Sequence, residues 1–198
     1  LQFVLEGAFG PEAVSASRVR LAVGASLAIV GLPLWAVHWL IVQRYVRRLP
    51  VETASLLRKM HVYLVLGVGL AFVMATATNS LRWVFGERSF SGYNLAAIVI
   101  WSGVWAFYWR LERSEGQPST DTLGIRRLYL YIASLAALIM AALGLGRIIH
   151  IILAEGYDSL VSLPALFHSG SGLWGSSMRS AIAPSLVGSL AWVSHWLY

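Results

Sequence analysis

Cysteine is absent from this 198-residue chain, which excludes disulfide frameworks, thiolate catalysis and Cys-ligated zinc or iron–sulfur centres. Acid is scarce as well, with 9 Asp and Glu against 15 Lys and Arg. All of them (Glu6, Glu12, Glu52, Glu87, Glu112, Glu115, Asp121, Glu155 and Asp158) fall in predicted loops or at predicted helix ends. Proton relays and ion pathways place carboxylates inside an apolar span, because a costly buried charge is retained for a use. Their placement here argues against an ion-coupled transporter and against a carboxylate-based intramembrane enzyme. No His-Glu-x-x-His signature, phosphate-binding glycine loop or nucleophile elbow occurs, so no residue is assigned a catalytic role. Residues 1–20 carry Glu6, Glu12, Arg18 and Arg20 in the wrong order for a secretory signal.

Apolar residues, by contrast, make up 58% of the chain, charged residues 12%, and the mean hydropathy is +0.68. Soluble domains are closer to half apolar and a quarter charged. Uncharged stretches of membrane-spanning length occur at 21–43, 60–81, 89–109, 128–146 and 180–198. The composition therefore predicts an all-α, polytopic transmembrane helix bundle with five spans. The net charge of +6 invites a nucleic-acid surface, but its placement points elsewhere. Arg44, Arg47, Arg48, Arg58 and Lys59 crowd one predicted loop, and Arg110, Arg113, Arg126 and Arg127 crowd the next but one. Alternate basic loops are the positive-inside pattern. It puts 44–59 and 110–127 on the cytoplasmic side, and 82–92, 155–179 and the N-terminal segment on the other.

One phrase is written three times. Trp35-Ala-Val-His38-Trp39, Trp105-Ala-Phe-Tyr108-Trp109 and Trp192-Val-Ser-His195-Trp196 each close an apolar run. A second phrase begins the helices that follow: Leu57-Arg58-Lys59-Met60-His61-Val62-Tyr63-Leu64 matches Ile125-Arg126-Arg127-Leu128-Tyr129-Leu130-Tyr131-Ile132. Self-similarity at roughly 70 residues predicts a tandem array of two-helix hairpins. The pattern divides the chain into a tail of a preceding repeat helix (1–18), helix one with an inner basic loop (19–57), a repeat unit of helices two and three (58–110), a hydrophilic connector (111–125), and a repeat unit of helices four and five (126–198). The last unit contains a long outer loop, 155–179, whose apolar stretch Leu160–Phe167 is too short to span and reads as interfacial or re-entrant. Both ends of the chain look cut from a longer array. Pro33 predicts a kink in helix one.

Gly31-Leu-Pro33-Leu-Trp35-Ala-Val-His38-Trp39, followed by Gln43-Arg44 and the basic-aromatic helix start, resembles an uncharacterised bacterial family of multi-pass membrane proteins with PLWxxHWxxxQR and RRLYLY phrases. The resemblance is strongest at 31–64, partial at 101–132 and weaker at 172–198. It implies a fold and a bacterial cytoplasmic membrane, and no activity. The second copy lacks the proline, carries Tyr108 in place of the histidine, and has no Gln-Arg at the matching offset.

Three groups of residues are candidates for a role. The interfacial motif comprises Trp35, His38, Trp39, Arg44, Trp105, Tyr108, Trp109, Trp192, His195 and Trp196. Its paired tryptophans, four residues apart, share a helix face and read as an aromatic belt, with arginines reaching phosphates. The basic-aromatic helix starts comprise Arg58, Lys59, His61 and Tyr63, then Arg126, Arg127, Tyr129 and Tyr131. If any metal or macrocycle is held, His38, His61 and His195 are the ligands; haem or bacteriochlorophyll is the alternative to no cofactor. Tyrosine replaces histidine between copies (Tyr108 for His38, Tyr129 for His61), which favours the headgroup role. The third group is a pair of small-residue stripes, Gly67, Ala71 and Ala75 on helix two and Ala133, Ala137 and Ala141 on helix four, suited to close helix packing. Thr76, Thr78, Asn79, Ser80 and Arg82, with Arg147 and His150, gather toward the outer helix ends, where an anion could sit.

The leading reading is a non-catalytic integral membrane scaffold or accessory subunit that packs against lipid and other integral membrane subunits, with no nucleic-acid partner. A haem- or chlorophyll-binding electron-transfer or light-harvesting-associated subunit is the alternative, and a small-solute transporter the third.

Overall fold

The computed structural model describes residues 17–48, 55–115, 120–161 and 175–197. Those residues form five helices: α1 Ser17–Arg48, α2 Leu56–Val84, α3 Gly92–Ser114, α4 Thr120–Val161 and α5 Ser176–Trp196. The chain is all-helical over them, and three helices are long and apolar enough to cross a membrane, over Ala22–Val46, Leu56–Val84 and Thr122–Tyr157. Helix positions agree with the sequence reading to within a few residues except at α4. That helix runs 42 residues, about 63 Å at the α-helical rise, and takes in the end of the predicted connector (120–125) and the first part of the predicted outer loop (155–161). The predicted N-terminal tail up to residue 16, parts of both basic loops (49–54 and 116–119), and most of the segment read as interfacial (162–174) lie outside the described residues.

Local chemistry sets the helix ends. Ser55 precedes α2; its carbonyl accepts from the Lys59 N–H at 3.1 Å, and its hydroxyl lies 3.4 Å from the Arg58 N–H. At the other end Gly86 takes a positive φ of 72°, which only glycine adopts without strain. Gly86 N–H donates to the Trp83 carbonyl and Glu87 N–H to the Arg82 carbonyl, both at 2.9 Å, so two orphan carbonyls are satisfied in a Schellman turn. Pro33 and Pro184 lie inside α1 and α5, which continue through them.

Two compact units make up the chain. One comprises residues 1–70 and 91–129, the other residues 71–90 and 130–198. In the first, the buried apolar set is Val62, Tyr63, Leu66 and Leu70 of α2, Ala96, Ala97 and Tyr108 of α3, and Tyr129 of α4. The second buries Met74 of α2, Ala133, Ala137 and Ala141 of α4, and Met178, Ala181, Ala183 and Val187 of α5. Small residues dominate there because backbone meets backbone. A Cβ built on Gly188 lies 2.8 Å from the Ala137 carbonyl oxygen and 3.0 Å from Ala141 Cα, and one on Gly144 lies 2.7 Å from the Ser185 nitrogen. Such close approach gives the two helices dispersion contact along their backbones.

Gly188→Ala therefore forces α4 and α5 apart and costs about 1–3 kcal/mol. Gly31→Ala, whose Cβ meets nothing within 4 Å, is neutral or gains up to about 1 kcal/mol in helix propensity. Thermal unfolding in detergent measures both.

Candidate functional site

The first unit concentrates its buried polar chemistry where α2 begins and α3 ends. Lys59, Val62, Tyr63, Leu66 and Leu70 share one face of α2 by their spacing of three and four, and all are buried. Tyr108 and Glu112 of α3 and Glu115, which caps it in αR conformation, follow at i, i+4 and i+7, so they too share a face. Arg58 Nε donates to Glu115 Oε1 at 2.8 Å, with Arg58 Nη2 on the same oxygen. Lys59 Nζ lies 2.8 Å from Glu115 Oε2. The Lys59 and Glu115 side chains are 3% and 5% exposed, so this ion pair is desolvated, with Arg58 closing its rim at 11%. One turn deeper, the Tyr63 hydroxyl donates to Glu112 Oε1 at 2.8 Å. The Tyr129 ring stacks on Tyr63 with centroids 5.4 Å apart. Glu112, Tyr63 and Tyr129 are all buried.

An aromatic layer adjoins these groups. Trp35 and Trp39 stack at 5.9 Å on α1, and both meet the Phe107 ring edge-on. The buried Tyr108 ring lies 6.1 Å from Trp39 and 6.0 Å from His61, so a phenol stands between α1's indole and α2's imidazole. His38 and His61 are both exposed. Trp105 and Trp109 stack at 5.0 Å, and the Arg113 guanidinium sits 5.5 Å over Trp109. Among the described residues no group of three or more His, Cys, Asp or Glu is arranged to hold a metal ion.

The remaining sequence candidates are distributed as follows. Arg44, Arg127 and Tyr131 are exposed and Arg126 is half-buried. Trp192 and Trp196 lie 5.9 Å apart and tilted. His195 is buried, its Nδ1–H donating to the Ala191 carbonyl at 2.8 Å. Of the small residues, Ala133, Ala137 and Ala141 are buried, Gly67 is half-buried, and Ala71 and Ala75 are exposed. The residues that sequence reasoning passed over are Glu112 and Glu115, taken as helix-end acids. A signal was available: Glu112 falls four residues after Tyr108, on the face that packs.

The second unit has its own polar exchange. Thr76 and Thr78 hydroxyls donate to Phe72 and Met74 carbonyls of their own helix, while Arg147 and His150 are exposed. Arg82 pairs with Glu87 at 3.5 Å and its Nη2 donates to the Ser180 carbonyl at 3.3 Å. That carbonyl lies four residues before Pro184, which has no N–H to give it. Arg82 thus supplies the donor that proline removes. In return Arg179 Nη1 donates to the Phe85 carbonyl at 3.2 Å, just past the end of α2.

These features define a protein all-helical over the described residues, with three helices long and apolar enough to cross a membrane and buried ion pairs that join one helix to another. The chain belongs to the family described as Domain of unknown function (DUF5671), whose model matches residues 1–103, just over half of it. No curated protein and no solved structure matches it.

Removing one partner of a buried ion pair strands the other charge, at about 3–5 kcal/mol. Glu115→Gln accordingly lowers the unfolding temperature more than the double replacement Lys59→Met/Glu115→Leu, in which Arg58 can turn to water; denaturation of both in one detergent gives the comparison. A double-mutant cycle checks the second unit. Arg82→Leu leaves the Ser180 carbonyl unpaired, a loss of about 1–3 kcal/mol. In a Pro184→Ala background, which restores the helical N–H, that loss shrinks by about 1 kcal/mol.

Proposed function

We propose that this protein is a non-catalytic integral membrane scaffold or accessory subunit of a bacterial cytoplasmic membrane. In this reading all five helices span the bilayer, as tandem hairpins, with the arginine-rich ends on the cytoplasmic side. The observation that carries the proposal is the state of α1. No residue in its apolar window is buried, against 33% and 28% of the windows in α2 and α4. Leu27, Ile29, Leu32 and Leu34 are each more than 60% exposed, and Gly24 and Gly31 have open space where a Cβ would stand. Gly24 and Gly31 lie seven residues apart on one helix face, the kind of small-residue surface onto which another spanning helix packs.

The polar chemistry supports the same reading. The buried carboxylates of the first unit are bound to Arg58, Lys59 and Tyr63, an arrangement that joins helices and resembles no acid–base or nucleophilic array. The second unit spends Arg82 and Arg179 on backbone carbonyls.

Mild-detergent extraction of the tagged chain from its native membrane, followed by blue-native electrophoresis, tests the proposal. The expected result is a defined complex larger than the chain, depleted when Gly24 and Gly31 are replaced by Leu. Migration as the lone chain under every mild condition overturns it, and a visible absorption band in the purified protein replaces it with a pigment- or haem-carrying role.

A further inference from the structure

The run Arg110-Leu-Glu112-Arg113-Ser-Glu115 reads in sequence as charge-balanced, two arginines against two glutamates. Helix α3 separates the signs. Glu112 and Glu115 turn inward onto Tyr63, Arg58 and Lys59, while Arg110 and Arg113 face out. The same sorting holds through the first unit. Among that unit's side chains whose burial is described, the exposed charged ones are Arg44, Arg48, Arg110, Arg113 and Arg127, whereas Glu112 and Glu115 are not exposed. Internal contacts put them at one end of that unit. Trp39 meets Tyr108, which levels the ends of α1 and α3; Tyr63 meets both Glu112 and Tyr129, which levels the end of α3 with the start of α4. Stacked Trp35–Trp39 and Trp105–Trp109 pairs border this end.

We propose that this arginine rim is a docking surface for anionic phospholipid headgroups, so that the protein selects negatively charged lipid around its first unit. The inference rests on the membrane reading above and goes beyond it. A planar guanidinium donates two parallel N–H bonds to a phosphate, which suits arginine rather than lysine to a phosphodiester. Indole pairs anchor at headgroup depth, which holds the rim where lipid phosphates lie. Exposed acids would cancel the field locally, and burying Glu112 and Glu115 removes them from it. Attraction of a basic residue to an anionic leaflet amounts to about a fivefold effect each.

The test uses the full chain reconstituted in phosphatidylcholine vesicles, with spin-labelled phosphatidylglycerol or phosphatidylcholine reporting lipid association by electron paramagnetic resonance. Phosphatidylglycerol is expected to be preferred about fivefold or more. The preference should fall on raising salt to about 0.5 M, where charge is screened within a few ångströms. The triple variant Arg44→Gln/Arg48→Gln/Arg127→Gln is expected to lower the preference about fivefold or more, while Arg147→Gln leaves it unchanged. The salt arm needs no substitution, so it stands even where the variant misfolds. Equal association of both lipids, an equal loss with Arg147→Gln, or full displacement of the labelled lipid by inorganic phosphate overturns the proposal. Vesicles that keep the chain through an alkaline wash yet show no preference overturn this inference alone. A chain washed free takes the membrane reading with it.

Discussion

Glu115 is the constraint on which the first unit turns. One carboxylate at the end of α3 takes Arg58 on one oxygen and Lys59 on the other, and both cations come from the first turn of α2. Withdrawing such ions from water costs several kcal/mol each, and only short, well-directed contacts on all partners repay it. The arrangement therefore fixes register: sliding α2 against α3 by one turn would part Glu115 from its two cations and Tyr63 from Glu112. Everything beside it inherits that register, including the Tyr63–Glu112 bond and the Tyr63–Tyr129 stack.

The second unit solves a related problem with neutral acceptors. Proline in the middle of α5 frees a carbonyl, and the end of α2 frees others. Arginines from the opposite helix reach both, Arg82 to Ser180 and Arg179 to Phe85. Each helix repairs the other's backbone deficit, while close contact at Gly144 and Gly188 seats α5 against α4. In a low-dielectric surrounding an unsatisfied carbonyl is expensive, so these bonds are positional as well as stabilising.

Much of the fold is legible in the chain. Apolar runs between basic clusters give the helices and their order, because a helix satisfies its own backbone and needs only length and apolarity to be recognised. Gly86 announces the turn after α2, since only glycine tolerates the positive φ found there. Small residues at every fourth position of α4 announce a face that packs, and Ala133, Ala137 and Ala141 are buried. The site was less visible. Arg58 and Lys59 read as headgroup-facing charges because they begin a helix, and Glu112 and Glu115 as solvated acids because they end one. Nothing in one dimension says that these two helix ends meet. The full length of α4 was also hidden, since 120–125 read as the end of a hydrophilic connector and 155–161 as the start of an outer loop, where the apolar run gives way to polar residues.

Sequence alone determined the class of structure: an all-helical chain of five helices among the described residues, three of them long and apolar enough to cross a membrane, with turns and basic clusters between them. These follow from local composition and periodicity, which act over a few residues at a time. Only the tertiary structure decided which charges are spent inside and which remain outside. That choice depends on which helix faces another, so the balanced run 110–115 becomes two buried acids and two exposed arginines once α2 lies beside it.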